Sequence, residues 1–406
     1  MSKSILVRST AHDSPSAENA ASPGSPAPAG RKPSGPNWRQ AFFQALSPGV
    51  VTGIRFGDWL RLLAENRFRV HPAYWPRALF ATAGSLVTSA FSVVEKGVYG
   101  RRIVATEIPP PLFVLGHWRS GTTHLHNLLA IDERFGSPRF SEVTIPWTFL
   151  TGEKVLTTAA AFLLPSTRFG IDNVSLSTNA PSEEEFALAQ MTFHSPYLSW
   201  AFPQHAERYD RYITFRGVPE AEKRDWQAAF VMFLKKLTLR HGKPMILKSP
   251  PNTGRIKLLL EIFPDARFVH IHRDPYTVYQ STRHLHLSSW KTFAYQKLDE
   301  ADLQERILRD YVEMFDAFFE DRSLIPPDRF AETSFDALEA NPMAEVERIY
   351  SELKLPSFSD VRPRLAEYVQ SLAGYRKNTH RDLPEELRER IVREWGRTFD
   401  EWGYER

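Results

Sequence analysis

The chain contains no cysteine among its 406 residues. Disulfides, thiolate chemistry and cysteine-based zinc sites are therefore excluded, and nothing in the composition indicates an oxidising compartment. The formal net charge is only +3, which is too weak to indicate a nucleic-acid partner. The sequence also lacks an H-E-x-x-H motif or a carboxylate cluster with metal-ligand spacing. We therefore expect a cytoplasmic protein that needs no metal and binds no nucleic acid.

The chain has little that would cross a membrane. Its long uncharged stretch, residues 78–94, is shorter than the roughly 20 strongly apolar residues of a spanning helix. A polar stripe at helical spacing interrupts it, formed by Thr82, Ser85, Thr88, Ser89 and Ser92. The sequence predicts an amphipathic helix that packs as a cover on a catalytic domain. The alternative is contact with an anionic membrane surface, through Arg55, Arg61, Arg67, Arg69, Arg77, Arg101 and Arg102.

Composition divides the chain into three parts. Residues 1–37 are dominated by Ala, Ser, Pro and Gly, so they cannot offset their ordering entropy by burial and are predicted to be a disordered tail. Residues 38–108 are basic, aromatic and rich in helical patterns, which predicts a helical N-terminal region. Residues 109–406 are predicted to form the catalytic domain.

The most informative stretch begins at Leu112 with a short apolar strand, continues through a polar turn between Gly116 and Gly121, and enters a helix. Backbone N–H groups at such a helix start have no intrahelical partner and bind anions well. Further donors in this loop are Arg119, Ser120, Thr122 and Thr123. The pattern therefore predicts a phosphate- or sulfate-binding loop. The alternative is an ordinary helix N-terminus with Ser/Thr caps and no ligand.

The loop differs from the P-loop of nucleoside triphosphatases at one decisive position. The glycines have the G-x-x-x-x-G spacing, but Thr122 stands where the phosphate-binding lysine is required, which argues against ATP or GTP hydrolysis. The order R-S-G-T-T after a strand resembles the 5′-phosphosulfate loop of sulfotransferases that use 3′-phosphoadenosine 5′-phosphosulfate (PAPS). The resemblance is to the branch with arginine in this loop, which includes many bacterial enzymes and the tyrosylprotein sulfotransferases.

A second α/β unit follows later in the chain. A short strand precedes Lys248, and another, from Arg267, precedes Arg273. Strands that alternate with helices form a parallel sheet, whose ligands bind beyond the carboxyl ends of the strands. We therefore predict an α/β fold with three layers, a mostly parallel central sheet and flanking helices. Arg119, Lys248 and Arg273 are expected at one edge of this sheet.

The family resemblance extends to the nucleotide. Arg273 and Ser281, eight positions apart, match the pair that binds the 3′-phosphate in sulfotransferases. Arg376 and Lys377 resemble a C-terminal element that clamps the same phosphate. His124 falls at the position of the adenine-stacking tryptophan of cytosolic members. The resemblance therefore implies that Gly121 and these residues bind PAPS together with the first loop.

The resemblance also implies the catalytic groups. Lys248 matches the Lys-x-Pro lysine of the tyrosylprotein branch, and Glu142 occupies a position similar to the catalytic base there. Histidines 117, 124 and 126 compete with Glu142 as the base, and a protonated His117 would instead bind the phosphosulfate. Three consecutive glutamates, Glu183–Glu185, are interpreted as the first turn of a helix that starts near Pro181. The alternative for them is an acid–base carboxylate pair.

The sequence thus predicts a PAPS-dependent sulfotransferase that modifies a hydroxyl, less readily an amine, on a small-molecule, lipid or carbohydrate acceptor. Arg119 and Lys248 would stabilise charge on the bridging and sulfuryl oxygens as the S–O bond breaks, and Glu142 would accept the proton. One alternative is a P-loop nucleotide kinase. The other is a non-catalytic nucleotide-binding protein at a membrane surface. The sequence reveals neither the acceptor nor the oligomeric state.

Overall fold

The computed structural model describes residues 45–153, 180–372 and 383–406. The predicted tail, residues 1–37, and the predicted phosphate clamp of Arg376 and Lys377 lie outside the described residues.

A four-stranded parallel sheet forms the centre of the described structure, in the order β2-β1-β3-β4. Its strands are β1 (Leu112–Leu115), β2 (Ile246–Lys248), β3 (Arg267–His272) and β4 (Phe330–Ser334). The order places β1 and β3 side by side at the centre, with the first loop and Arg273 following their carboxyl ends. The predicted α/β class with a parallel sheet is confirmed.

Helices surround the sheet and connect its strands. Helices α1 (Phe56–Glu65) and α2 (Trp75–Ala105) precede β1. Between β1 and β2 lie α3 (Thr122–Leu129), α4 (Phe140–Thr144), α5 (Glu185–Thr192), α6 (Leu198–Ala201), α7 (Ala206–Asp210) and α8 (Glu220–His241). Those that follow are α9 (Ile256–Ile262), α10 (Pro275–Phe293), α11 (Glu300–Asp321), α12 (Phe335–Ala340), α13 (Pro342–Glu352), α14 (Arg362–Ser371) and α15 (Glu385–Trp402).

The core lies on both faces of the sheet, as three-layer packing requires. Successive side chains of a strand point to opposite faces, so Phe113 of β1 joins one apolar cluster and Val114 joins the other. On the first face the Phe113 ring stacks on Phe268 of β3, with centroids 5.4 Å apart. Both faces of β1 are buried, which explains why this strand is uniformly apolar rather than alternating.

The helices α1 and α2 pack on the rest of the protein through polar contacts. Glu95 of α2 and Lys236 of α8 form an ion pair of 2.6 Å in which both side chains are buried. At the other end of α2, the Arg77 guanidinium donates to the carbonyl oxygen of Ala294. The predicted helical cover is thus present, while the predicted boundary after residue 108 stays a prediction.

Candidate active site

The backbone conformation of the loop between β1 and α3 requires glycine at two positions. Gly116 and Gly121 have φ angles of 143° and 102°, a region that side chains rarely adopt. A Cβ atom at Gly116 would also lie 2.5 Å from the carbonyl oxygen of Ile271. The Gly116 N–H donates to Thr253 Oγ1 at 2.7 Å, which ties the loop to the segment after β2. The loop is therefore held close against both neighbouring strands.

The first turn of α3 is arranged for an anion. Gly121 is the residue that precedes the helix, and no side chain caps the N–H groups of its first turn. Ser120 does not supply a free hydroxyl, because its Oγ–H donates to the carbonyl oxygen of His117 at 2.7 Å. The Thr123 hydroxyl, in contrast, accepts from Lys248 Nζ at 3.3 Å. Backbone N–H groups and Thr123 therefore form this part of the site.

Three residues predicted from the two motifs lie together beside the loop. Arg119 has a left-handed backbone, with φ of 69°, and its Nε donates to Ser281 Oγ at 2.7 Å. The Arg273 Nη1 lies 3.4 Å from the carbonyl oxygen of Arg119. The Arg273 guanidinium also lies 4.1 Å from the ring centroid of Phe335, and its burial lowers its pKa. Two partly buried guanidinium groups and one hydroxyl thus form a compact, positively charged cluster.

A carboxylate that we interpreted as part of a helix first turn contacts Lys248. Glu183 forms an ion pair with Lys248 Nζ and accepts a hydrogen bond from the Tyr197 hydroxyl. The Trp118 Nε1–H in turn lies 3.3 Å from the Tyr197 hydroxyl oxygen. The Tyr197 side chain is fully buried, and its burial, together with Glu183, raises its pKa well above the ordinary value. Tyr197 is therefore protonated at neutral pH and acts as a donor to the Glu183 carboxylate.

The three glutamates of the Glu183–Glu185 run have three different partners. Helix α5 begins at Glu185, not near Pro181 as predicted. Glu184 accepts hydrogen bonds from the Lys248 backbone N–H at 3.1 Å and from Asn252 Nδ2 at 2.6 Å, and its burial raises its pKa to about 7. Glu185 forms a fully buried ion pair of 2.7 Å with Arg255. Their role as acids in a helix first turn therefore does not explain this run, because tertiary contacts fix each side chain.

The predicted base, Glu142, lies in a different environment. It is the third residue of α4, and its Oε2 accepts from the Arg139 N–H at 2.8 Å in a capping box. Its Oε1 lies 2.9 Å from His241 Nε2, and the Glu142 side chain is fully buried. Among the described residues, the structure thus brings the Glu183 carboxylate, not that of Glu142, to Lys248. The role of Glu142 as the base stays a prediction that this geometry disfavours.

Burial disfavours the protonated forms of His117 and His124, in and next to the first loop. The His117 side chain is buried, with Nδ1 2.9 Å from the carbonyl oxygen of Trp118, and burial lowers its pKa to about 4. His117 is therefore neutral at physiological pH in this environment, which disfavours the alternative in which it binds the phosphosulfate as a cation; that alternative stays a prediction. His126 is also buried. His124 lies in the first turn of α3 and remains partly exposed, and burial lowers its pKa while Glu339 opposes this effect.

A mainly aromatic cleft adjoins the contacts of Glu183. Its walls include Trp118, Tyr197, Trp200 and His286, and its far end reaches Arg306 and Asp310. Tyr197 and Trp200 are stacked, with ring centroids 4.3 Å apart. Tyr197 lines the cleft and also bonds to Glu183, so this side chain connects the cleft to the carboxylate.

The loop and the guanidinium cluster lie together at the carboxyl edge of a parallel sheet, the edge at which such sheets bind their ligands. Residues 110–360 match the sulfotransferase family, and the chain belongs to that family. It is an enzyme of the sulfotransferase class, and members of this family generally use PAPS as the sulfuryl donor.

The relatives include proteins from mycobacteria. The chain is 38% identical over 355 residues to a protein of Mycobacterium tuberculosis (strain CDC 1551 / Oshkosh) named omega-hydroxy-beta-dihydromenaquinone-9 sulfotransferase Stf3, covering 87% of this chain and 91% of that one. The same values hold for the Stf3 protein of Mycobacterium bovis.

Solved structures with a similar fold also come from mycobacteria. Sulfotransferase STF9 from Mycobacterium avium has a TM-score of 0.65 at 20% identity, covering 89% of this chain and 95% of that chain. Sulfotransferase STF1 from Mycobacterium tuberculosis H37Rv has a TM-score of 0.60 at 19% identity, covering 77% and 86%. At these identities the structural likeness supports the fold alone.

Proposed function

We propose that this sulfotransferase transfers the sulfuryl group of PAPS to a hydroxyl on an apolar, lipid-soluble acceptor of the hydroxylated menaquinone class. The observation that carries this proposal is the identity of 38% to the Stf3 proteins over most of both chains. The names of those relatives specify a hydroxyl on a lipid quinone as their acceptor.

The nucleotide would bind at the carboxyl edge of the sheet. The backbone N–H groups from Gly121 to Thr123 face the 5′-phosphosulfate, with Arg119 beside them. Arg273 and Ser281 bind the 3′-phosphate, since a guanidinium fork and a hydroxyl suit a phosphate dianion. Support for this arrangement comes from the hydrogen bond between Arg119 and Ser281 at 2.7 Å, which brings the two motifs into one cluster.

The reaction is a displacement at sulfur. The acceptor oxygen forms a bond to sulfur as the bond from sulfur to the bridging phosphate oxygen breaks, and 3′-phosphoadenosine 5′-phosphate departs. Arg119 and Lys248 stabilise the negative charge that develops on the bridging and sulfuryl oxygens. We assign the role of proton acceptor to Glu183 in preference to Glu142, because Glu183 contacts Lys248 and its side chain is 19% exposed, whereas Glu142 is fully buried.

The acceptor would approach Glu183 from the side of the cleft lined by Trp118, Tyr197 and Trp200, whose aromatic rings suit an apolar molecule. The cleft has a volume of about 20 Å³, so it must widen to admit a prenyl chain or a quinone ring. Tyr197 ends at the Glu183 carboxylate, so an acceptor lying along these rings would present its terminal hydroxyl to the proposed base. This continuity between cleft and base supports an apolar acceptor that carries one hydroxyl.

The proposal is tested by sulfation with radiolabelled PAPS, in the presence of EDTA, of three acceptors: a menaquinone with a hydroxyl at the end of its chain, the same menaquinone without the hydroxyl, and a short water-soluble alcohol. We expect label only in the hydroxylated menaquinone, at a rate that EDTA does not change. Equal labelling of the short alcohol would contradict the lipid acceptor. Loss of activity with EDTA, restored by one metal, would contradict the metal-free mechanism.

A further inference from the structure

Helix α2 has the opposite polarity from an ordinary surface helix. Its inner face, against the protein, carries polar side chains, and Ser85, Thr88 and Glu95 are at most 4% exposed. Its outer face carries apolar side chains, and Leu79 and Val93 are 71% and 72% exposed. A helix on the surface of a water-soluble domain normally turns its apolar stripe inward, so this arrangement requires an explanation.

The exposed apolar side chains form a continuous face. Two adjacent rows of large apolar side chains run along its outer side, and within each row the residues are seven positions, or about two helical turns, apart. Leu79, Leu86 and Val93 form one row, and Phe80, Val87 and Val94 form the other. Trp75 begins this face and Val98 extends it, both more than half exposed. At 1.5 Å per residue, the face is about 35 Å long. Exposed apolar patches of this extent mark a site of interaction.

The polar inner face fixes α2 along its length. The Trp59 Nε1–H of α1 donates to Thr82 Oγ1 at 2.9 Å, and the Phe56 N–H donates to Ser89 Oγ at 2.8 Å. Further along, Glu95 accepts from the backbone N–H of Leu150 at 2.8 Å. The polar residues are therefore satisfied by the protein, and the outer face is left for another partner.

By length and composition, the segment Pro72–Ala105 is apolar enough to cross a membrane. The contacts of its inner face argue for another orientation. The helix is bound lengthwise to α1 and α8, so a perpendicular orientation would carry those helices into the hydrocarbon with it. A helix held in this way meets a bilayer along its side, with its outer face in the interface.

The charges around the apolar face match an anionic lipid surface. Between Trp75 and Val98 the only acidic residue is Glu95, which faces inward. Arg101 and Arg102 are exposed beyond one end of this face. Before the other end, Arg67 and Arg69 are exposed on either side of Phe68, whose side chain is 62% exposed.

These charges also disfavour a second copy of the chain as the partner. Two such faces in contact would bring the arginines at their ends together, and the face itself, from Trp75 to Val98, carries no outward acidic residue to pair with them. Glu107, beyond Arg102, is the nearest exposed acidic residue at that end. Anionic headgroups supply that missing negative charge, at roughly 1 kcal/mol for each arginine near the surface.

We propose that α2 lies in the plane of an anionic membrane surface, with the face from Trp75 to Val98 at the boundary between headgroups and acyl chains and the flanking arginines on the headgroups. The inference rests on the polarity of this helix and not on the proposed acceptor, because membrane binding is measured without donor or acceptor.

The test is co-sedimentation of the full chain with vesicles of phosphatidylglycerol and phosphatidylcholine, and with vesicles of phosphatidylcholine alone. We expect binding to the anionic vesicles, about tenfold or more tighter than to the neutral ones. The double variant Leu86→Glu/Val93→Glu should lose this binding. Both positions are exposed, so the variant should keep its fold, which circular dichroism and the affinity for 3′-phosphoadenosine 5′-phosphate verify.

A matched control places the same two charges elsewhere. Met232 and Leu324 are exposed apolar residues outside α2, so Met232→Glu/Leu324→Glu should bind the anionic vesicles like the wild type. Three results would overturn the proposal: no binding of the wild type to either vesicle, equal loss in the two double variants, or a wild-type dimer in solution that becomes a monomer in Leu86→Glu/Val93→Glu. The last result would identify a second copy as the partner.

Discussion

Replacing Glu183 by glutamine tests whether Glu183 or Glu142 is the catalytic base. The substitution preserves the shape of the side chain and removes its basicity. A general base contributes about 10²- to 10⁴-fold to turnover, so we expect kcat of Glu183→Gln to fall by at least about 10²-fold. Because Glu183 does not belong to the cluster of Arg119, Arg273 and Ser281, the affinity for 3′-phosphoadenosine 5′-phosphate should change by less than about threefold.

The folding stability of Glu183→Gln must be controlled in that experiment. Lys248 is 3% exposed, and removal of its partner leaves a largely buried ammonium group, which costs up to about 3–5 kcal/mol in folding stability when burial is complete. Turnover must therefore be measured by transfer of radiolabelled sulfate at a temperature where urea unfolding shows the variant to be folded. Single-turnover rates separate the chemical step from product release.

Glu142→Gln is the matched variant. Glu142 bonds to Arg139 and His241, so we expect its loss to lower stability while the folded variant keeps kcat within about threefold of the wild type. Near-normal turnover of Glu183→Gln together with a loss of about 10²-fold in Glu142→Gln would refute the assignment and restore Glu142 as the base. Loss in neither variant, with loss on substitution of His124, would assign the role to that histidine.

Three further predictions follow from the site and its supports. Arg119→Ala should lower kcat by about 10²-fold or more and weaken nucleotide binding much less, because this guanidinium is aimed at charge that develops in the transition state. Separate measurements of kcat and of the dissociation constant for 3′-phosphoadenosine 5′-phosphate check this prediction. Glu185→Gln should cost about 3–5 kcal/mol of unfolding free energy, because it leaves the buried Arg255 charge without its partner; urea unfolding measures this. Burial raises the pKa of Glu184 from 4.5 to about 7, so the folded chain holds that proton more tightly than the unfolded one, and the resulting stability is present below about pH 4.5 and declines by roughly 3 kcal/mol as pH rises through 7. Glu184→Gln should flatten this decline, and an unchanged pH profile would show that the proton lies elsewhere.

The residues whose proximity could be predicted are those whose signal is local. Gly116 and Gly121 mark a turn that only glycine adopts easily. Arg273 follows the carboxyl end of β3, and Ser281 lies in the second turn of α10, which begins two residues after Arg273. Parallel strands bring their carboxyl ends to one edge of the sheet, so the loop after β1 and the residues after β3 are expected to lie close together from the strand order alone. The structure places Arg119, Arg273 and Ser281 together for this reason.

Glu183 was missed because its partner is distant in sequence. Nothing in the order of residues indicates that Glu183 contacts Lys248, 65 positions away. Glu142 carried a local signal that was overlooked: a glutamate three positions after the start of a short helix commonly bonds back to the residue that caps the helix. That signal favoured a structural role, and the hydrogen bond to Arg139 agrees with it.

The orientation of α2 was the other feature beyond the reach of the sequence. Periodicity shows that a helix has an apolar face and a polar face, but it does not show which face meets the protein. The sequence predicted an amphipathic helix with a polar stripe and assigned that stripe to neither side. In the structure Ser85 and Ser89 of this stripe face the protein, where Ser89 Oγ accepts from the Phe56 N–H and the Ser85 hydroxyl donates to the carbonyl oxygen of Thr82.

The most direct test of the account is calorimetric titration of the wild-type enzyme with 3′-phosphoadenosine 5′-phosphate and with adenosine 5′-phosphate, which differ only in the 3′-phosphate. We expect micromolar or tighter binding of the first nucleotide, and binding of the second that is about 10- to 150-fold weaker, the equivalent of about 1.5–3 kcal/mol for a charged hydrogen bond. Arg273→Ala should remove this difference. Equal affinity of the wild type for the two nucleotides would contradict the assignment of Arg273 and Ser281, and with it the proposed PAPS site.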